Sequence, residues 1–367
     1  MAYAYDVNGN VLPTLYDVDG ETLTHIYDIN GTDLIDEPFI KRILPYETNY
    51  LITQELIANA EIQRDALKAK FQQSADAIPF FIQTDGHGHV NDGNKLCYNL
   101  AESTMGYIRN FQLGDYGSYY LDGYDAGVHK TTSKDIDKYI VAMGNHEFLA
   151  NDSESAPIPD LEVLVDSFVS PDAIMGSTTY GYYKVLDQKY KIKYLVFQPH
   201  IPCEKSVDSN GFLFKMPSDE WEWAISEMSA NDGYDIVIIN HEPFPETYTS
   251  RSSGNSFNWN PVGWYINLTP VLKARKARES GSVTDGFGVT HSYDFTGTTS
   301  DLLCAFYGHM HAEGYTLKSV FGFPTYYANQ FDNSKNLAYG LIDREHGKLY
   351  IYSFNKDGVN AEFSLDL

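Results

Sequence analysis

The sequence predicts an α/β chain in which short buried strands alternate with helices, and two observations carry that prediction. The first is a set of five apolar, β-prone runs: Ile78-Pro-Phe-Phe-Ile82, Phe111-Gln-Leu113, Tyr139-Ile-Val-Ala-Met143, Ile236-Val-Ile-Ile239 and Leu302-Leu-Cys-Ala-Phe306. The second is that a short polar motif follows each run. In order these are Asp85-Gly-His87, Gly114-Asp115, Gly144-Asn145-His146-Glu147, Asn240-His241 and Gly308-His309-Met310-His311. In sheets covered on both faces, ligands gather where strands end, so loops leaving neighbouring strands aim side chains at one point.

The elements follow in chain order. Residues 1–44 carry an 11-residue repeat in three copies, Tyr5-Asp-Val-Asn-Gly-Asn, Tyr16-Asp-Val-Asp-Gly-Glu and Tyr27-Asp-Ile-Asn-Gly-Thr. Asn-Gly and Asp-Gly between β-prone residues favour tight hairpin turns, so each copy reads as a strand, a turn and the start of the next strand. Calcium binding at Asp17-Val-Asp19-Gly20 is the weaker alternative, because the downstream bidentate Glu of an EF-hand is missing. Residues 45–75 form a connecting segment whose helix, over 51–73, places Leu56, Ala60, Leu67 and Phe71 on one face.

Residues 76–367 form the main domain. Tyr180–Gln198 reads as a hairpin, and Ser218–Ser229 as a helix capped by Ser218 with Trp221, Ile225 and Met228 inward. An insertion spans about 246–300. Within it Thr269-Pro270 opens a short helix ending in Lys273, Arg275, Lys276 and Arg278, expected to be a solvated helix with cations at its C-terminal end. Tyr315–Tyr327 and Lys348–Phe354 alternate as closing strands.

Composition narrows the function classes. A net charge of -24 disfavours non-specific attraction to nucleic acid or anionic membrane. Neither a basic, apolar leader nor a run near the length of a membrane span is visible, so the expected location is cytoplasmic or virion-associated. Cys97, Cys203 and Cys304 lack metal-ligand spacing and read as buried thiols.

The donor types in the motifs are carboxylate, carboxamide and imidazole, which suit Mn, Fe or Zn, and the ligands outnumber what one ion needs. In their order the motifs resemble the calcineurin-like metallophosphoesterase superfamily, whose pattern is D-x-H, G-D, G-N-H-[DE], H, G-H-x-H. The resemblance covers about residues 76–345. It implies a four-layer αββα sandwich of two mixed sheets flanked by helices, the N-terminal hairpin repeats standing apart. It also implies a binuclear centre in which Asp85, His87 and His311 bind one transition-metal ion, Asn145, His241 and His309 bind the other, and Asp115 bridges them. On this pattern a metal-bound hydroxide attacks phosphorus in a phosphate ester, His146 assists the departing oxygen, and Glu147 orients His146 or holds its loop. His89, Tyr116 and Trp264 are candidate substrate contacts, with Trp259 and Tyr265 in the same insertion as Trp264; His89 reads equally as a loop residue, and His200 and Asn91 are candidates comparable to it.

The chain departs from the protein Ser/Thr phosphatase branch. Where those enzymes continue G-D-x-x-D-R, it reads Gly114-Asp115-Tyr116-Gly117-Ser118-Tyr119 and lacks the arginine clamp. The expected activity is therefore a phosphodiesterase or phosphomonoesterase, with diesters preferred. The repeats and Tyr293-Asp294-Phe295 look similar to phosphoesterases encoded in phage tail modules. That second resemblance implies a virion-associated enzyme acting on a phosphodiester-linked cell-envelope polymer such as teichoic acid, the repeats mediating assembly. The alternatives are a structural or adhesive virion component with a metal-stabilised fold and little turnover, or a nuclease.

Overall fold

The computed structural model describes residues 4–5, 11–12, 54–86, 92–106, 108–115, 139–144, 147, 169–170, 172–198, 200–202, 212–214, 216–242, 268–309, 316–320, 322–328, 336–355 and 357–367. The chain opens with β1 (Ala4–Tyr5) and β2 (Val11–Leu12), an antiparallel pair that encloses the first Asn-Gly, as expected of the first repeat copy. The other two copies lie outside the described residues.

Helix α1 (Gln54–Phe71) leads into β3 (Ala77–Gln83), followed by α2 (Asp92–Met105), β4 (Arg109–Leu113) and β5 (Tyr139–Ala142). Next come β6 (Ile174–Met175), β7 (Tyr183–Asp187), β8 (Ile192–Val196), β9 (His200–Pro202), β10 (Phe212–Phe214), α3 (Ser218–Ser229) and β11 (Asp235–Ile239). The C-terminal part runs α4 (Thr269–Ala277), β12 (Ser280–Thr284), β13 (Thr290–Asp294), β14 (Leu302–Tyr307), β15 (Thr316–Val320) and β16 (Phe323–Tyr327). It closes with β17 (Leu337–Asp343), β18 (Lys348–Asn355) and β19 (Gly358–Asp366).

Two large mixed sheets result. A six-stranded sheet is ordered β19-β18-β17-β3-β4-β5, and a seven-stranded sheet β15-β16-β14-β11-β8-β7-β6. Each holds a parallel run, β3-β4-β5 along one side of the first and β8-β11-β14-β16 within the second. The apolar runs are completely buried there, which accounts for their reading as continuous rather than alternating patterns.

The sheets share one apolar core. Ile78, Phe80 and Ile82 of β3 and Phe111 and Leu113 of β4 meet Tyr194, Val196, Val237, Ile239 and Phe306. Phe80 lies edge-on to Phe306 at 4.9 Å and Phe111 lies 5.4 Å from Tyr194, which brings the two sheets together through aromatic contacts. On the outer face of the six-stranded sheet, α1 covers β17 and β18, with Leu56, Ala60 and Leu67 inward. α3 takes the corresponding place on the other sheet, where Lys193 of β8 donates to the Glu227 carbonyl at 2.7 Å.

Away from the motif-bearing strand ends, Arg109 at the start of β4 reaches across to the other sheet. Its Nε lies 3.2 Å from Asp187 and its Nη1 2.9 Å from Asp172, and both Arg109 and Asp187 are buried.

Two local expectations are corrected. Ser218 does not cap α3. The N-cap is Pro217, and Ser218 Oγ instead donates to Asp285 Oδ2 at 2.5 Å, drawn away by a carboxylate that the β12–β13 hairpin brings in. Nor is the basic stretch of α4 simply a solvated face. Arg275 is buried and donates to the Met228 carbonyl and to Ser300, so its charge-bearing fork serves to close carbonyls of neighbouring elements.

Candidate metal centre

The described motif residues meet at the C-terminal ends of the parallel strands, where the two sheets face each other. Asp85 follows β3 and Asp115 follows β4 in one sheet; His241 follows β11 and His309 follows β14 in the other. All four are buried. One ligand atom each from Asp115, His241 and His309 lies within 4.8 Å of the others.

Backbone and side chains together set this geometry. The Leu113 carbonyl accepts a hydrogen bond from His241 Nδ1, which turns Nε2 toward the cluster. His241 Nε2 then stands 3.2 Å from Asp115 Oδ2 and 3.2 Å from His309 Nδ1. The His309 N–H donates to Asp85 Oδ2 at 3.0 Å, stitching the second sheet to the first. Within the six-stranded sheet the Asp85 N–H donates to the Gly114 carbonyl at 2.9 Å.

Three of these residues have left-handed backbone: Asp85 with φ 51°, Asp115 with φ 53° and His309 with φ 65°. Such conformations cost energy in non-glycine residues and cluster where function demands a side chain in an otherwise disfavoured direction. Gly144 supplies the room. A Cβ there would fall 2.2 Å from Asp115 Oδ1 and 2.8 Å from His241 Nε2, so any side chain would fill the space on which these donors converge.

Charge inside the cluster is distributed unevenly. Burial opposes the charged imidazole of His241, but the carboxylates of Asp115, Glu242 and Asp85 outweigh it and hold its pKa well above the ordinary range. For His309, burial and the neighbouring His241 charge push the pKa down to about 4, which keeps a neutral imidazole at pH 7. A pocket with buried carboxylates that favours positive charge, beside a neutral imidazole, fits a divalent ion held by Asp115, His241 and His309, with the Asp85 carboxylate beside them.

Glu147 binds backbone. Its Oε2 accepts the Asp115 N–H at 2.9 Å and the Gly144 N–H at 2.6 Å, tying the ends of β4 and β5 together. Replacing Glu147 with glutamine keeps the volume but weakens both bonds. Metal affinity should fall roughly 10–100-fold, the usual cost of losing a partner that orients ligands; titration followed by calorimetry would measure it, and an unchanged affinity would leave Glu147 without this part.

His87, His89, Asn91, Tyr116, Asn145, His146, Trp259, Trp264, Tyr265 and His311 lie outside the described residues, as does the side chain of His200. Two residues near the centre were not singled out in the sequence. Thr84 Oγ lies 2.6 Å from Asp85 Oδ2 and 3.0 Å from the Leu113 carbonyl, and its single proton serves one of them at a time. Glu242, next to His241, is wholly buried, and a His-Glu pair closing an apolar strand was the available signal. Glu220 of α3 is also wholly buried. Burial raises its carboxyl pKa to about 8, and its Oε1 accepts the Gln198 N–H at 2.7 Å.

No protein-family profile and no curated protein matches the chain. Among solved structures, a conserved uncharacterised protein from Streptococcus pneumoniae TIGR4, a predicted phosphoesterase, aligns at 10% identity and TM-score 0.33, covering 79% of this chain and 98% of its own. A Staphylococcus aureus protein assigned as a 5′-nucleotidase, in complex with α-ketoglutarate, aligns at 14% identity and TM-score 0.44 over 79% of this chain; the alignment spans only 54% of that longer protein. The phosphopantetheinyl hydrolase of Mycobacterium tuberculosis aligns at 12% identity and TM-score 0.32, covering 70% of this chain and 90% of its own.

Proposed function

We propose that this chain is a metal-dependent phosphoesterase whose centre is built from Asp85, Asp115, His241 and His309 together with the motif residues His87, Asn145 and His311. The observation that supports this most is the convergence of Asp115, His241 and His309, buried and drawn from facing sheets, within 4.8 Å. Two transition-metal ions, when bound, supply Lewis acidity toward a phosphoryl oxygen and a water made acidic enough to attack at neutral pH.

The chain's own residues do the rest. His241 presents Nε2 because its Nδ1 proton is committed to the Leu113 carbonyl. Asp115 is assigned, on its motif position, as the ligand that the two ions would share. Asp85 receives the His309 N–H on one oxygen, which fixes the orientation of its carboxylate. His146 is assigned, on its motif position, to protonate the departing alkoxide.

A phosphodiester is the favoured substrate. A diester carries one negative charge and a monoester up to two, and Asp85, Asp115 and Glu242 already crowd carboxylates at the centre. The Tyr116-Gly-Ser-Tyr stretch after Asp115 supplies no arginine to offset a dianion.

The test is hydrolysis of bis(4-nitrophenyl) phosphate and 4-nitrophenyl phosphate by protein loaded with Mn, Fe or Zn and by protein stripped with chelator. Activity should require metal and favour the diester in kcat/KM. Metal at about 100 times its Kd should also stabilise the fold by about 2.7 kcal/mol, raising the melting temperature. Failure to take up metal in the presence of excess ion would end this reading.

A further inference from the structure

A further polar side chain stands in the row of residues that ends the seven-stranded sheet. Strands β8 and β11 are parallel, with Val196 beside Ile239, and the Phe197 N–H extends the ladder to the Ile239 carbonyl at 3.1 Å. In that register Gln198 stands beside His241. Side chains alternate along the strand: Val196 belongs to the core between the sheets, and Phe197 faces α3, edge-on to Trp223 at 5.8 Å. Gln198 therefore follows Val196 to the inter-sheet side, the side from which His241 reaches Asp115.

The seven-stranded sheet thus ends in Gln198, His241 and His309 on β8, β11 and β14. Opposite them stand the ends of β5, β4 and β3. Strand β5 contacts β8, His241 meets Asp115 after β4, and His309 meets Asp85 after β3. The Gln198 main chain is pinned, because its N–H donates to the buried Glu220 carboxylate. Its side chain is wholly buried, yet among the described residues neither Nε2 nor Oε1 has a hydrogen-bond partner. Buried amides are almost always satisfied, so a pinned residue with both amide ends open, next in register to His241, calls for an occupant.

We propose that Gln198 contacts the substrate of the phosphoesterase centre, its Nε2 donating to a phosphoryl oxygen and its Oε1 accepting from a hydroxyl or water beside it. A neutral carboxamide suits this place, because it offers an anionic oxygen a donor without adding to the carboxylates already there. The assignment rests on the phosphoesterase reading above and adds to it a specificity contact on a strand that carries none of the five motifs.

Gln198→Leu and Gln198→Glu test it in the full-length chain, with Mn content, calorimetric binding of orthophosphate, the melting temperature of metal-free protein and KM for bis(4-nitrophenyl) phosphate as readouts. Leucine should leave the Mn content intact and weaken phosphate binding roughly 10–100-fold, the worth of a hydrogen bond to a charged group. KM should rise correspondingly. The metal-free protein should melt no lower than wild type, since an unsatisfied amide has been replaced by a side chain that needs no partner. Glutamate should weaken phosphate binding further by like-charge repulsion. Unchanged phosphate affinity in Gln198→Leu, with wild type binding both metal and phosphate, overturns the Gln198 assignment alone. Lost Mn would make Gln198 a metal ligand instead, and a lowered melting temperature would make it structural; either also overturns it. Wild-type protein that binds neither Mn nor phosphate overturns the parent reading and this assignment together.

Discussion

Replacing Asp115 with alanine is expected to abolish hydrolysis, with a loss in kcat/KM on the order of 10³-fold or more, equivalent to about 4 kcal/mol of barrier. The carboxylate sits 3.2 Å from His241 Nε2, is wholly buried, and is the residue through which the six-stranded sheet contributes to the three-residue cluster. Metal stoichiometry should fall with activity if Asp115 is, as proposed, a ligand shared by two ions. His309→Ala should likewise lose metal, whereas His146→Ala should lose turnover and keep it. Elemental analysis beside steady-state kinetics separates these outcomes. An Asp115→Ala protein that retained two ions per chain would rule out the bridging role.

The largest effect on stability should come from Arg109, away from the metal centre. Its guanidinium is buried against Asp187 on the facing sheet, with its carbon lying 5.9 Å from the Tyr194 ring centroid. Arg109→Met keeps much of the volume but leaves the Asp187 charge buried without its cation. Removing one partner of a buried pair costs roughly 3–5 kcal/mol, far more than the pair itself contributes. Urea unfolding should show this as a lower midpoint with an unchanged slope, and Arg109→Met combined with Asp187→Asn should recover part of the loss. Metal affinity of the folded variant should match wild type. A loss below about 1 kcal/mol would show that water reaches the pair.

Much of the strand framework was legible in the sequence because buried parallel strands leave continuous apolar runs. Ile236–Ile239 and Leu302–Phe306 became β11 and β14 within one residue at each end. Helix α2 was not anticipated, although Cys97, Ala101 and Met105 repeat at a spacing of four and are buried. Gly93 and three asparagines or aspartates in and before its first turns disguised that stripe. The β12–β13 hairpin was marked by Asp285-Gly-Phe-Gly, which reads as a turn only once the flanking Ser- and Thr-rich stretches are taken as strands.

Partners distant in sequence were harder to read. Ser218 looks like a cap until Asp285 arrives 67 residues later, and Arg275 looks solvated until Met228 and Ser300 surround it. At the candidate centre the donors were visible as types in an order. Thr84 on the Leu113 carbonyl, Glu147 on the Asp115 N–H and Gln198 beside His241 are consequences of register and sheet pairing, which no local pattern encodes.

The division of the centre between sheets also sets when it can exist. The bond from His309 to Asp85 spans 224 residues, and the contact from His241 to the Leu113 carbonyl spans 128. Contacts of such range are closed late, after the loop entropy between them has been overcome by the cores on either side. A chain emerging from the ribosome holds Asp85 and Asp115 long before His241 and His309 are made, and until then has only half of the donor set. Assembly of the donor set therefore coincides with completion of the fold: a truncated or half-folded chain carries no assembled centre, and an ion taken up there would report that both sheets have closed.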